Sequence, residues 1–175
     1  MIAPLVITGL DDLIQRLDVA PAKLRRAVDR AASNTLRNAR SSAAQAISAE
    51  TSIPRRALKY RAYWSKEELG GKVWIGLNPV AAAQRHVTRH GNTPLFKIQE
   101  DTHGATAGNY YFPGGFVLHM RGSGDTIVKA KGPKRVATEY VVLDTPPVLA
   151  AVERVKESAA GIFINEVYRL VRDNV

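Results

Sequence analysis

The fold is decided by residues 21–66, which read PAKLRRAVDRAASNTLRNARSSAAQAISAETSIPRRALKYRAYWSK. Between Pro21 and Ile47 there is no internal glycine or proline, and the composition is rich in Ala, Arg and Leu, which favour helix. Pro21 suits the first turn of a helix, where its missing N–H costs nothing. We predict one long helix that ends before Thr51-Ser52-Ile53-Pro54, because Ile53 precedes a proline and is pushed toward extended geometry.

One face of this helix is apolar and consists mostly of small side chains. Residues spaced by three and four positions fall on a single helical stripe. The members of this stripe are Leu24, Val28, Ala31, Thr35, Ala39 and Ala43. Alanine buries little area, but small side chains let a helix lie close against a sheet or another helix. The pattern therefore predicts a closely packed neighbour for this face.

The same segment carries the whole excess of positive charge. It holds eleven cations against two anions, and this excess of nine equals the formal net charge of +9 of the 175-residue chain. A short second helix near Pro54, capped by Thr51 or Ser52, adds Arg55, Arg56 and Lys59 to the basic surface. Such charges are ordinarily a solvated helix face. Their confinement to one segment favours a surface held near a polyanion or an acidic partner.

Length and composition predict one globular domain, residues 1–175, with room for a real core. The absence of cysteine excludes disulfides and cysteine-bound metals. No run of about twenty apolar residues is present, and Met1–Leu10 lacks the basic start of a secretory signal. We therefore expect an intracellular, soluble protein with no membrane segment.

The flanking sequence predicts a short strand at Leu5–Thr8, a two-turn helix at Leu10–Leu17 and a series of antiparallel strands. Residues 60–64 and 72–77 form a hairpin in this prediction, and further strands cover 110–120, with a bend at Pro113-Gly114-Gly115, then 125–131 and 136–143. Asp144 or Thr145 caps a final amphipathic helix. Its apolar positions are Val148, Val152, Val155, Ala159, Ile162, Phe163, Val167 and Leu170. The predicted fold is α+β, with a long N-terminal basic helix and a C-terminal helix packed on an antiparallel sheet or partial β-barrel.

Residues 80–109 are the least regular part of the sequence. We expect a short helix at 79–85 and a brief strand at Leu95–Ile98, with polar turns between them. Long irregular segments in compact domains are usually functional or mobile. The segment is interpreted as an extended loop or arm that orders against a neighbouring subunit.

The sequence gives no positive sign of catalysis. His86 and His90 have the i, i+4 spacing of zinc ligands, but Val87 stands where a metalloprotease needs its glutamate. No phosphate loop of the Walker type and no Gly-x-Ser-x-Gly elbow are present. The carboxylates occur as sequence neighbours in polar turns, where they rarely face one site. We predict no catalytic residue, no metal site and no cofactor.

Aromatic and basic residues alternate over residues 59–64. Lys59 and Arg61 flank Tyr60, and Tyr63 and Trp64 follow shortly after. Basic residues between aromatic rings are typical of a stacking platform for single-stranded nucleic acid. The alternative, that Trp64 and Trp74 are core residues of a hairpin and that the Tyr rings are half buried, is favoured because large aromatics dominate small cores.

Three motifs occur in a fixed order after the long Ala/Arg-rich helix. They are Thr51-Ser52-Ile53-Pro54 with its basic run, residues 73–79 (VWIGLNP), and residues 111–116 (YFPGGF). This order and spacing, over roughly residues 20 to 145, resembles the phage minor tail protein Z family, the tail-completion proteins of tailed bacteriophages and prophages. The C-terminal helix and residues 84–108 lie outside the resemblance.

The resemblance implies a structural virion protein without catalytic residues. Such proteins complete the head-proximal end of the tail and take part in head–tail joining at the neck, as rings, commonly hexamers, around the DNA channel. The implied partners are further copies of the chain and neighbouring tail and neck proteins, namely the tail terminator, tail tube, stopper or adaptor. The implied location is the virion, and the host cytoplasm during assembly.

The residues themselves suggest two surfaces for such a ring. A basic surface that faces DNA or an acidic neighbouring ring would consist of Arg25, Arg30, Arg37, Arg55, Arg56, Lys59 and Arg61. Closed rings join two different patches, and candidates for these are the alanine-lined helix face and the long loop. The corresponding residues are Ala31, Ala39, Ala43, Phe96 and Ile98.

Three other interpretations remain open at this point. The chain is alternatively a stand-alone protein that binds DNA without sequence preference, for which DNA affinity falls steeply with salt. A tail terminator or stopper ring protein shares the expected architecture. An enzyme such as a nuclease requires clustered carboxylates or histidines, whereas those residues are scattered along this sequence.

Overall fold

The computed structural model describes residues 5–6, 21–59, 61–67, 70–82, 85–88, 91–120 and 124–173. Along the chain, one long helix precedes and another follows a series of short antiparallel strands. Helix α1 spans Pro21–Thr51, α2 spans Arg55–Leu58, and α3 spans Thr145–Arg172. The predicted α+β class is confirmed. The helix predicted at 10–17 lies outside the described residues.

Thirteen short strands are present in the described part of the chain. They are β1 Leu5–Val6, β2 Ala62–Glu67, β3 Gly70–Ile75, β4 Val80–Ala81, β5 Arg85–Thr88, β6 Gly91–Pro94, β7 Ile98–Glu100, β8 Gly104–Ala107, β9 Tyr110–Pro113, β10 Gly115–Met120, β11 Gly124–Gly132, β12 Arg135–Thr138 and β13 Tyr140–Val141. They form three-stranded sheets in the orders β1-β3-β2, β7-β8-β9 and β10-β11-β12, and the pairs β5-β6 and β4-β13. All of these pairings are antiparallel.

The core lies where α1 packs along α3 and against β2 and β3. The predicted apolar stripe of α1 is buried at all six of its positions, with exposed fractions of 5% or less. Helix α3 buries seven of its eight predicted apolar positions. The exception is Ile162, which is 45% exposed, because its neighbour Phe163 already fills the side of α3 that faces the core. The small alanines of α1 thus allow two long helices to lie close together.

The predicted hairpin of residues 60–77 is formed by β2 and β3, where Tyr63 pairs with Trp74 and Trp64 with Val73. Val73 and Ile75 are buried in the core, and Trp64 packs against it. Tyr63 is 60% exposed, whereas Tyr60 lies outside the described residues. The core interpretation therefore holds for Trp64, whereas Trp74 is only partly buried and Tyr63 is more exposed than the half-buried position expected for it.

The prediction of an irregular segment at 80–109 is wrong for the described residues of that range. Strand β4 stands where a helix was expected, because Val80 and Ala81 pair with β13 from sixty residues further along the chain. The strand expected at 95–98 begins only at Ile98. Leu95 and Phe96 are buried in the core. These strands have four residues or fewer, which is too short for a visible alternation of apolar and polar positions.

The bend expected near Pro113 is confirmed and separates two sheets. Gly114 has φ +69°, a left-handed conformation that favours glycine, and β9 and β10 on either side of it belong to different sheets. The strand expected at 136–143 is likewise divided. The Glu139 N–H donates to the Ile127 carbonyl and its own carbonyl accepts from Ala82, so β12 and β13 lie in different sheets.

The turn between α1 and α2 differs from the expected capping. The residue before α2 is Pro54, and no side chain caps that helix. The Thr51 hydroxyl donates to the Ile47 carbonyl within α1. Ser52 has φ +55°, the left-handed conformation that commonly ends a helix. Helix α1 is therefore closed at Ser52, and the chain then turns back through a fully buried Ile53.

Candidate interaction groove

Two basic elements meet in a groove between α1 and α2. Helix α1 contributes residues 37, 40, 41 and 44, whose spacing of three and four places them on one helix face. Helix α2 and the residue after it add three cations, and β2 adds one alanine. The lining consists of Arg37, Arg40, Ser41, Ala44, Arg55, Arg56, Lys59 and Ala62, around a volume of about 450 Å³. We call this the basic groove.

The sequence of α2 explains how the groove forms. Ala57 and Leu58 are each 1% exposed and anchor the short helix to the core, while Arg55, Arg56 and Lys59 are exposed. The turn at residues 51–54 brings this helix back beside α1. Five cations from two short stretches of sequence, residues 37–40 and 55–59, therefore share one surface concavity.

Three of the four arginines in the groove are held by hydrogen bonds to neutral acceptors. Arg40 Nη2 donates to the Lys59 carbonyl at 2.8 Å, and Arg55 Nη2 donates to Ser41 Oγ at 2.6 Å. Arg56 Nη2 donates to the carbonyls of Pro94 and Leu95 at 2.7 and 3.3 Å. A guanidinium has five N–H donors, so each of these side chains is oriented while most of its donors remain available.

The four arginines of the groove are not paired with acidic side chains of the described residues. Among the described residues, no carboxylate lies within ion-pair distance of Arg37, Arg40, Arg55 or Arg56. Some charges outside the groove are paired, as Lys66 is with Asp29 at 2.9 Å. Clustered like charges raise the local positive potential and attract anions.

The groove gathers four of the seven residues predicted for the basic surface, namely Arg37, Arg55, Arg56 and Lys59. Arg40 and Ser41 were missed, although their spacing of three and four from Arg37 places them on its helix face. Arg25 and Arg30 lie nearer the start of α1. Arg30 lines a separate cavity of about 530 Å³ with residues 23, 26, 27, 29 and 170.

Arg61 lies apart from the groove and contacts backbone carbonyls. Its guanidinium donates to the carbonyls of Asn78 and Pro79, the latter at 3.0 Å. Burial lowers the pKa of Arg61 from its usual value, and the nearby Tyr63 opposes this effect. Arg61 fixes the loop after β3 and is not part of the groove lining.

The expected subunit contact does not hold for four of its five candidate residues. Ala31, Ala39, Ala43 and Phe96 have exposed fractions of 0 to 4% in a single chain and belong to its own core. Their surface is covered from within the chain, so little of it remains for a second copy. The fifth, Ile98, is half-buried and packs against the same core.

Two further properties bear on the chemistry of the described residues. They contain no group of three or more His, Asp or Glu side chains placed to hold a metal ion. None of the helices among them is long and apolar enough to cross a membrane. The groove itself offers cationic donors, one hydroxyl and two methyl groups, a lining that suits the binding of anions.

The sequence matches no protein-family model and no curated protein, and the structure matches no solved structure.

Proposed function

We propose that this chain is a structural virion protein that completes the head-proximal end of a phage tail and takes part in head–tail joining. The proposal rests on the resemblance to the minor tail protein Z family, carried by the ordered motifs between residues 51 and 116. The observation that supports it best is the basic groove, in which four arginines have no carboxylate partner in the described part of the chain.

In a ring of such chains, the basic grooves together form a repeated positive surface that can bind an anionic partner. Each copy presents the same five cations, so a closed ring repeats them around its circumference. A basic surface of this kind contacts the genome without reading its sequence, because phosphate contacts are mainly electrostatic. It also fits an acidic face of a neighbouring tail terminator, tail tube, stopper or adaptor protein. In either case the chain acts in the virion after assembly in the host cytoplasm.

The test is a charge reversal in the phage that encodes the chain. The triple variant Arg37→Glu, Arg55→Glu, Lys59→Glu inverts the groove but leaves Arg56, which holds backbone carbonyls, in place. We expect full heads and finished tails to accumulate unjoined, as seen by electron microscopy. The purified variant keeps its helical circular dichroism, because the three side chains are exposed.

The matched control reverses three exposed cations on the β11–β12 hairpin, Lys131, Lys134 and Arg135. It changes the net charge equally, and joining is expected to proceed normally. Infectious particles in normal numbers from the groove variant contradict the proposal.

A second candidate is a stand-alone protein that binds DNA without sequence preference, which is also supported by the four groove arginines that have no carboxylate partner among the described residues. Localisation separates the two functions. If an antibody or gold label on the chain marks the neck of purified particles, the assembly role is supported. If the label is missing from particles and the chain is found with host nucleic acid, the second function is supported. Label at the tail tube side of the neck instead indicates a tail terminator, and label at the head side a stopper.

A further inference from the structure

We propose that the basic groove binds the sugar-phosphate backbone of duplex nucleic acid, and that it does so without reading the base sequence. The inference deepens the proposed function, on which its biological setting rests, by choosing between the two anionic partners left open there. The inference is based on two observations: the guanidinium groups are held in place by hydrogen bonds, and the lining has no side chain suited to reading a base.

Most of the cations in the groove are of the type that matches a phosphate group best. Four of the five cations are arginines, and the planar fork of a guanidinium matches the two oxygens of a phosphate in a bidentate contact. Arg40, Arg55 and Arg56 are already oriented by neutral acceptors. Less side-chain freedom is therefore lost when an anion binds, which favours affinity.

The described residues of the groove offer contacts for phosphates and none suited to a base. The described lining has no aromatic ring on which a base stacks and no Asn or Gln amide that reads an adenine edge. Tyr63 neighbours Ala62 on β2, but successive strand residues point to opposite faces, and the Tyr63 side chain is exposed while Ala62 is buried. The contact is consequently confined to phosphates.

An acidic protein segment suits the groove less well than a phosphate backbone does. Protein interfaces are dominated by a few buried aromatic or large apolar anchors and the pockets that receive them. The apolar part of the groove consists of the methyl groups of Ala44 and Ala62 and the stems of its cations. Such a lining contains no pocket that could receive a large side chain of a protein partner.

A duplex is preferred over a single strand for a related reason. Because the groove has no ring for base stacking, a single strand gains no additional contact, and the charge density of a duplex is higher.

The experiment measures binding of the full chain to a fluorescent duplex DNA of mixed sequence across a salt series. If the four arginines contact phosphates, the logarithm of the association constant falls with the logarithm of salt concentration with a slope of about −3.6. This corresponds to a loss of roughly 150-fold between about 50 and 200 mM salt. A second duplex of unrelated sequence binds equally, and a single strand of the same length binds more weakly.

The decisive variant is Arg37→Gln, Arg55→Gln, which removes one cation from each wall of the groove. Its slope is expected to be shallower by about two, since each lost phosphate contact contributes about 0.9. The control Lys131→Gln, Lys134→Gln removes the same charge from the β11–β12 hairpin and leaves the slope unchanged. Circular dichroism verifies that both variants fold.

Three results overturn the inference. Equal effects of the two double variants mean that net charge, and not the groove, attracts DNA. Tighter binding of poly-glutamate than of DNA at the same salt means that the partner is an acidic protein surface. Strong preference for one sequence means that bases are read. Because this assay uses the isolated chain, it fails or succeeds independently of head–tail joining, which is scored in particles.

Discussion

At the scale of single residues, Glu166 provides the clearest polar link between the two long helices. This carboxylate on α3 accepts a hydrogen bond from Asn34 Nδ2 of α1 at 3.0 Å. It also accepts two from Arg169, one turn further along α3, at 2.8 and 2.9 Å. The Arg169 hydrogen bonds, followed by that of Asn34, lower the pKa of Glu166 from 4.5 to about 2. The ionised form is therefore the one that stabilises the packed helices.

The lowered pKa predicts how stability depends on pH. A carboxyl group whose pKa falls on folding stabilises the native state above its unfolded pKa. That contribution is lost as the pH falls from 4.5 to about 2. Glu166→Gln is expected to remove about 1 kcal/mol at neutral pH, after solvent screening of a partly exposed group. Its urea-unfolding free energy then declines less than that of the parent over this pH window.

The matched control for this prediction is Glu157→Gln, an exposed position on the same helix. No ion pair or hydrogen bond joins Glu157 to another described residue. Its replacement should leave both the neutral stability and the acid dependence unchanged. Parallel pH profiles for the parent and the Glu166 variant contradict the assigned role of the carboxylate.

Replacement by alanine is expected to change the stability of the chain in opposite directions at two glycines. A Cβ on Gly71 of β3 meets the Leu36 side chain of α1 and the backbone carbonyl of Ser65. Gly71→Ala is therefore expected to destabilise the chain by about 1 to 3 kcal/mol, because backbone atoms cannot move aside cheaply. Gly161→Ala has open space around its Cβ on α3 and should stabilise by about 0.5 to 1 kcal/mol. Thermal unfolding of both variants checks the pair, and a shift of the same sign in both refutes the packing argument.

At the scale of elements, Arg56 joins α2 to the chain segment that follows the β5–β6 hairpin. Its two carbonyl acceptors, Pro94 and Leu95, stand where β6 gives way to the buried Leu95 and Phe96. Arg56→Ala leaves these carbonyls without their donor, at a cost of about 1 kcal/mol. We expect faster amide hydrogen exchange in peptides covering residues 91–98, with protection of β2 and β3 unchanged.

The neighbouring Arg55→Ala is the control for this effect. Arg55 is equally exposed and its hydrogen bond goes to Ser41 on α1. Exchange in residues 91–98 should stay at the parent level in that variant. If both variants open the segment alike, the loss of positive charge is responsible and the carbonyl contacts are not.

The sequence predicts best those elements whose signal is long and local. Helices α1 and α3 each repeat their apolar spacing over about six turns. In the β2–β3 hairpin, residues 60–64 alternate large and small side chains and residues 73–75 form an apolar run. The strands between residues 80 and 109 were missed because their pairing is decided by distant residues. Two-residue β4 exists only because β13 lies beside it. No periodic pattern fits within two residues.

The basic groove was predictable in part for the same reason. Charge spacing on α1 and α2 indicated one basic surface, but only the turn at Ser52 brings the two helices together. Arg61 is a cation beside other cations, as a partner-facing residue would be. The carbonyls that accept hydrogen bonds from its guanidinium belong to a loop seventeen residues further along the chain. The small residues of α1 suggested a contact between subunits. Helix α3, which begins some hundred residues further along the chain, covers them instead.

At the scale of the whole molecule, the net charge of +9 opposes the association of copies that the proposed function requires. Identical chains brought together repel one another, and the repulsion is strongest where each contributes a basic groove. Salt shortens the range of this repulsion, from about 10 Å at 0.1 M to about 3 Å at 1 M. In the proposed ring, a polyanion in the central channel would neutralise the positive charge of the grooves by binding in them.

These two routes to association predict opposite responses to salt. Without nucleic acid, the oligomer fraction measured by light scattering should rise as salt is added, because repulsion between copies is screened. With duplex DNA present, assembly should be greatest at low salt and decline as phosphate contacts weaken. Arg37→Gln, Arg55→Gln lowers the positive charge of each groove, so its DNA-free oligomer should form at lower salt than that of the parent. DNA-free oligomers that dissociate on addition of salt contradict this account, since they indicate copies joined by ion pairs.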